Sequence, residues 1–269
     1  MINPIREGVG VVFGDAHVPH HNRPLFAAML DAIADVDADF VVANGDVFDL
    51  AEFSRHEKGS AQFYARHLLS ETKRVGNEVF DELDAAMRAG KRRRKIRRLR
   101  KRKMFIGGNH EARIGKFIAS GDNVVFSGDE DMDPAKWFGL RARGWEWDLD
   151  YPDAGVWAGK LLITHGQFHG KACAKKHLDE YQCSVLVGHT HTDQTYHGST
   201  YEAQRVGDCN GAMANFDADV FRYKRRPRNW VNSFRVVTVR RSGDFSIEPV
   251  RFVNGLCSYG GKTYGKRAA

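Results

Sequence analysis

The sequence predicts an α/β fold, with two mixed β-sheets covered by helices on both outer sides. Three observations predict it. Short apolar runs recur and end in glycine next to a polar residue, segments of helical spacing lie between several of them, and two hairpin signatures follow in the second half.

Val9 to Phe13 leads into Gly14-Asp15, Phe40 to Ala43 runs through Asn44 into Gly45-Asp46, and Met104 to Ile106 leads into Gly107-Gly108-Asn109-His110. Leu161 to Thr164 leads into His165-Gly166, and Val185 to Val187 into Gly188-His189. Runs this short, bounded by glycine, read as strands buried on both faces. Pro24 suits the first turn of a helix carrying Leu25, Met29, Leu30 and Ile33. Ala61 to Met87 places Phe63, Leu68, Leu69, Val75, Val79, Phe80, Leu83 and Met87 at largely helical spacing, with a break expected near Gly76. Lys171 to Tyr181 is a third, shorter helix. Val156 to Ala158 and Leu161 to Thr164 flank Gly159-Lys160, and Phe234 to Arg240 and Phe245 to Phe252 flank Ser242-Gly243-Asp244; both read as hairpins. Residues 207–232, rich in glycine, asparagine and arginine, are expected to form a long surface loop.

At 269 residues and 42% apolar composition, residues 1–269 are expected to form one domain around one substantial core. No stretch approaches the roughly 20 apolar residues that cross a bilayer, so no membrane contact is expected. The first apolar run is too short for a signal-peptide core. The four cysteines, Cys173, Cys183, Cys209 and Cys257, form no Cys-x-x-Cys. They read as reduced thiols in a cytoplasmic protein.

The formal charge is +7, but Lys91 to Lys103 (KRRRKIRRLRKRK) contributes eleven cations, and taking these away leaves the rest at −4. The body is therefore mildly acidic, and a basic insertion at about 89–103 makes the chain basic. A second cluster, Lys224 to Arg228, lies between Phe221 and Trp230. Basic residues interleaved with aromatics suit nucleic-acid backbone and stacking contacts; a solvated charged loop is the competing reading.

The glycine-bounded run ends carry Asp15, His17, Asp46, Asn109, His165, His189 and His191, with His110 beside Asn109. Loops beyond the carboxyl ends of strands converge in α/β folds. Aspartate, histidine and one neutral amide suit Mn, Fe, Co, Ni or Zn better than calcium, and the absence of sulfur excludes a structural zinc pattern. Donors of this kind around two divalent ions point to metal-assisted phosphoester hydrolysis.

These blocks resemble those of the calcineurin-like metallophosphoesterase superfamily, and the spacing, Gly-Asn-His-Glu-Ala-Arg, and the stretch from Asn229-Trp230 through the last hairpin resemble small members carried by phages and prophages. The resemblance implies a four-layer α/β-β/α sandwich. It implies one ion held by Asp15, His17, Asp46 and His191, and a second held by Asp46, Asn109, His165 and His189, with Asp46 bridging and manganese the first choice of metal. A hydroxide shared by the ions would attack phosphorus, and His110 would protonate the leaving group as general acid. Asp49 matches the position that orients this histidine, with Glu111 the alternative, and Arg113 is a candidate phosphate clamp. Protein serine/threonine phosphatases of the superfamily continue the second block with Asp-Arg-Gly, whereas Asp49 is followed here by Leu50-Ala51-Glu52. A phosphoprotein substrate is therefore disfavoured.

Of the remaining histidines, His21 and His169 are close enough to the blocks to be candidate substrate contacts; His20, His56, His67, His177 and His197 read as surface or packed residues. Three function classes follow: a two-metal phosphodiesterase, including nucleases and nucleotide diesterases; a phosphomonoesterase; and a non-catalytic nucleic-acid-binding module. Oligomeric state is left open by the sequence.

Overall fold

The computed structural model describes residues 2–54, 66–90, 100–120, 132–201, 203–221 and 229–266. Most of the basic run, 91–99, and the cluster at 224–228 lie outside the described residues, as do His56 and the first residues of the helix expected from Ala61.

The first sheet takes the order β11-β10-β1-β2-β3-β4. Strands β1 (Gly8–Phe13), β2 (Phe40–Asn44), β3 (Arg102–Ile106) and β4 (Glu146–Asp148) run parallel; β10 (Ser233–Val239) and β11 (Phe245–Arg251) extend the sheet antiparallel. The second sheet takes the order β5-β6-β7-β9-β8. Its strands are β5 (Gly155–Ala158), β6 (Leu161–Thr164), β7 (Ser184–Val187), β8 (Gln194–Ser199) and β9 (Gln204–Cys209), with β6, β7 and β9 parallel. A short hairpin, β12 (Leu256–Tyr259) and β13 (Lys262–Gly265), packs near α1 (Arg23–Asp35).

Alternation along the strands builds the layers. Val11 and Phe13 of β1, Val41 and Ala43 of β2 and Phe105 of β3 enter the core beneath the first sheet's helices. Val12, Val42, Met104 and Ile106 point the other way and meet Leu161, Ile163 and Leu186 of the second sheet. Val185 and Val187 lie under α5 (Cys173–Tyr181) with Cys173 and Ala174. The result is a four-layer α/β-β/α sandwich.

Local signals account for the helices. Asn22 caps α1, its Oδ1 accepting the main-chain N–H of Leu25 at 3.1 Å, and Pro24 occupies the first turn. α2 (Arg66–Ala89) runs unbroken through Gly76, contrary to the expected interruption. A Cβ there would lie 2.5 Å from Phe138 and 2.7 Å from Phe48, whose rings stack at 4.1 Å. The glycine makes room for that pair rather than ending the helix. Two short helices, α3 (Ala112–Ile118) and α4 (Pro134–Trp137), complete the outer layer.

Both hairpins form, pairing Ala158 with Leu161 and Val239 with Phe245. The surface loop expected over 207–232 needs correction. Gly207, Asp208 and Cys209 belong to β9, and residues 210–214 are buried. The basic insertion also ends sooner than its composition suggests, because Arg102 and Lys103 open β3. Lys101 pairs with Asp37 and Lys103 with Asp84, each at 2.7 Å, and Arg102 makes a bidentate pair with Glu146. Among the described residues, no helix is long and apolar enough to cross a membrane.

Candidate metal centre

All seven predicted ligands sit just past the carboxyl ends of β1, β2, β3, β6 and β7, so the sheet-to-sheet packing brings them together. His191 Nε2 lies 3.2 Å from Asp15 Oδ1 and 3.1 Å from His17 Nε2. His165 Nε2 lies 3.3 Å from Asp46 Oδ2 and 3.1 Å from Asn109 Oδ1. Asp15, His17 and His191 thus form one donor group, and Asp46, His165 and His189 a second.

The backbone is strained where the ligands are. Asp15, His17, Asp46, His189 and His191 all adopt positive φ, between 48° and 71°. Each such residue costs about 1–2 kcal/mol against a right-handed alternative, so five together need a compensating gain. Close approach also requires glycine at two turns. A Cβ on Gly108 would lie 2.3 Å from Asp46 Oδ1, and one on Gly188 would lie 2.5 Å from Asp15 Oδ2.

The donor set fits divalent cations. Asp15 and Asp46 are fully buried, and the basic groups facing them are imidazoles rather than lysine or arginine. Among the described residues, the buried Nδ1 atoms of His189 and His191 have no hydrogen-bond partner. Buried carboxylates with facing imidazole nitrogens need a positive centre between them. Without one, the histidines carry the compensation. Burial opposes the charge on Asp46, yet the facing imidazoles, with His165 3.3 Å away, hold its carboxyl well below the usual range. Burial also opposes charge on His165, but Asp46 and Asp15 push it up to about 9.

Around the donors, three residues take roles that spacing alone did not settle. Asp49 Oδ1 is 3.1 Å from His17 Nδ1 and 3.7 Å from His110 Nδ1, so its carboxylate bonds to His17. His110 is held instead by the main-chain oxygen of Asp49, 2.6 Å from Nδ1. Glu111 does not orient His110. Its carboxylate accepts the main-chain N–H groups of Asp46 and Phe48 at 3.0 Å and of Gly108 at 2.8 Å, clasping the β2 and β3 loops together. Burial and the charge of Asp46 push its carboxyl above the usual range against these donors. Arg113 donates to the Asp49 main-chain oxygen at 2.7 Å and to His110 Nε2 at 2.8 Å. The Arg113 donor at Nε2 and the Asp49 carbonyl at Nδ1 fix His110 as the neutral Nδ1–H tautomer, and burial keeps it neutral, down to about 3.

A cavity of about 580 Å³ opens over both donor groups. Its lining includes Asp49, Ala51, His110 and Arg113, and a wall of Asp219, Val220 and Phe221, of which the sequence had marked only Phe221, as an aromatic beside the second basic cluster. His21 is not part of it; the residue is buried, with its ring 5.5 Å from that of Phe26. His169 is exposed, its ring 6.4 Å from that of His189, and it lies outside the cavity lining.

Comparison with known proteins identifies the family of this chain. The profile of the family described as calcineurin-like phosphoesterase matches residues 11–193, a span that includes every donor from Asp15 to His191. The Gene 54 protein of Mycobacterium phage D29 is 24% identical over 256 residues, covering 85% of this chain and 88% of that one. Similar solved structures include a Vps29 single mutant from Entamoeba histolytica, with TM-score 0.44, 14% identity and coverage of 97% of this chain and 98% of that one. Another is the nuclease MPE of Pseudomonas putida, with TM-score 0.36, 14% identity and coverage of 85% and 84%. On the strength of a match that spans more than half its length, this chain belongs to the calcineurin-like phosphoesterase family.

Proposed function

We propose that this protein is a cytoplasmic two-metal-ion phosphodiesterase, with nucleic acids and nucleotide diesters within its substrate class. The observation that carries the proposal is the burial of two carboxylate–imidazole donor groups on strained backbone at the floor of an open cavity. Asp15, His17, Asp46 and His191 would hold one ion, and Asp46, Asn109, His165 and His189 the other, manganese being the first choice. Bound there, divalent ions supply Lewis acidity toward phosphate oxygens and a water of lowered pKa.

The chain's own residues do the rest. Arg113 faces the cavity and can turn spare guanidinium N–H groups toward a phosphate oxygen. Drawing Arg113 away frees His110 Nε2, and an anion beside the ring favours its protonated form. His110 then donates from Nε2 to the departing oxygen while the Asp49 main-chain oxygen holds Nδ1–H. Val220, Phe221 and Ala51 offer an apolar wall to the organic substituent.

The lining supports a diester over a monoester. Among the described residues it offers Arg113 as a cation and Ala51, Val220 and Phe221 as apolar surface. A singly charged phosphate with two organic substituents suits that lining better than a terminal phosphate dianion. Nucleic acid as partner rests on residues 91–99 and 224–228, outside the described residues. The described end of the first run enters at the start of β3, about 15 Å of strand from the cluster. Turnover of bis(p-nitrophenyl) phosphate against p-nitrophenyl phosphate, with Mn²⁺ present, tests the proposal. Faster diester turnover supports it; monoester preference reverses it; turnover of neither with metal bound favours a binding module.

A further inference from the structure

Outside the candidate metal centre, Cys173 and Cys209 meet on the outer face of the second sheet, with their sulfurs 3.2 Å apart and both residues fully buried. They come from the first residue of α5 and the last residue of β9, 36 positions apart in sequence. His177 stands beside them, its Nδ1 3.3 Å from Cys173 Sγ.

These three residues have the composition of a metal site, but their hydrogen bonding argues against one. His177 Nε2 accepts the main-chain N–H groups of Gln167 and Phe168 at 3.1 and 3.2 Å. Its ring proton is therefore on Nδ1, which donates to the Cys173 main-chain oxygen at 2.9 Å. Neither nitrogen keeps a lone pair for a cation. Two thiolates sharing a tetrahedral zinc, each about 2.3 Å from the ion, would also stand about 3.8 Å apart. The observed sulfurs are closer than that.

We propose that Cys173 and Cys209 are a redox-active dithiol that hydrogen peroxide converts to a reversible intramolecular disulfide. Cys173 is the attacking sulfur. It receives the Cys209 S–H, stands at the start of a nine-residue helix, and has the His177 ring alongside. Hydrogen bonding from Cys209 draws the Cys173 thiol down to about 5 against the effect of burial. The same contact pushes Cys209 up, as a resolving thiol that keeps its proton until the second step. The thiolate attacks one peroxide oxygen, the O–O bond breaks, and the leaving hydroxide takes the proton shed by Cys173, giving water and a sulfenic acid. Cys209 Sγ then attacks that sulfur. The S–O bond breaks and hydroxide leaves with the Cys209 proton as a second water. Two electrons pass from the sulfur pair to the peroxide.

Access and consequence both follow from position. The exposed residues 169–172 precede Cys173, and the segment is tied down by the two N–H groups that His177 accepts. Opening that segment admits a molecule as small as peroxide. On the inner side, the Thr190 side chain lies beside both thiols, with its hydroxyl bonded to that of Thr192 at 2.8 Å. Thr190 separates His189 from His191, so drawing the sulfurs together to about 2.05 Å shifts the loop that carries both donors. This consequence, unlike the disulfide itself, rests on the proposed metal site.

The test treats the reduced full-length protein with hydrogen peroxide, blocks remaining thiols with N-ethylmaleimide and records intact mass and peptide maps. The expected result is a fall from four reactive thiols to two, with a cross-linked 173–209 peptide that dithiothreitol reverses. Cys173→Ser and Cys209→Ser each abolish the cross-link, whereas Cys183→Ser and Cys257→Ser keep it. Four surviving thiols, or oxidation confined to Cys183 and Cys257, overturns the proposal. The Mn²⁺ concentration giving half-maximal thermal stabilisation should rise several-fold in the oxidised form. An unchanged value, with the cross-link formed and Mn²⁺ stabilising the reduced protein, overturns the coupling through Thr190.

Discussion

The carboxylate of Glu111 accepts the main-chain N–H of Asp46 at 3.0 Å, across 65 residues of chain. With Phe48 and Gly108 as its other donors, it holds the proposed bridging aspartate in its left-handed conformation. Glu111→Ala strands three main-chain N–H groups in a buried site, a cost of about 3–5 kcal/mol. Urea unfolding should report that loss, together with weaker Mn²⁺ retention, and Glu111→Gln should recover part of both. Unchanged stability in the alanine variant would show that the clasp is dispensable.

Gly188→Ala should leave a folded protein with impaired metal binding. Its Cβ would stand 2.5 Å from Asp15 Oδ2, and that carboxylate also receives the His189 main-chain N–H at 2.9 Å. Gly115→Ala in α3 is the matched control, because it has open space beside it; the change should be neutral or stabilising by up to about 1 kcal/mol. Calorimetric titration with Mn²⁺ separates the two. Equal affinities would contradict the crowding at Gly188.

His110→Asn should lower diester turnover by about 10²–10⁴ with metal content unchanged, the range for removing a positioned acid. Elemental analysis and steady-state rates on one preparation decide it. A variant that lost metal along with turnover would place His110 among the groups that hold the ions.

Acid should unfold the protein partly through His21. Burial and the neighbouring Arg23 lower this histidine from 6.5 to about 4. The unfolded chain binds its proton first, so stability from this residue is complete above pH 6.5 and is lost as pH falls toward 4. The loss is at most about 3 kcal/mol. In urea titrations, the stability gap between wild type and His21→Gln should narrow over that window. A constant gap would show that His21 takes up a proton in the folded state as easily as in the unfolded one.

Much of the fold and the donor set could be read along the chain, for a physical reason. β1, β2, β6 and β7 are short apolar runs closed by glycine and ligand-type residues, so strand and site share one local signature. Strands β8 and β9 lack it: their residues are largely polar, and the apolar contacts of β9 come through Cys209. Gly76 misled because its cause lies in Phe48 and Phe138, rings distant in sequence. Glu111 and Asp49 could be seen as acids near the site, but their partners are main-chain N–H groups and His17, which only the folded loops bring within reach.

The most direct measurement is the metal content of the chain after dialysis from excess Mn²⁺, with Asp46→Ala alongside. The expected result is two ions per wild-type chain, at most one in the variant, and a lower melting temperature for both proteins after chelation. A metal-free wild-type chain, or equal metal content in the two proteins, would contradict a dinuclear centre bridged by Asp46.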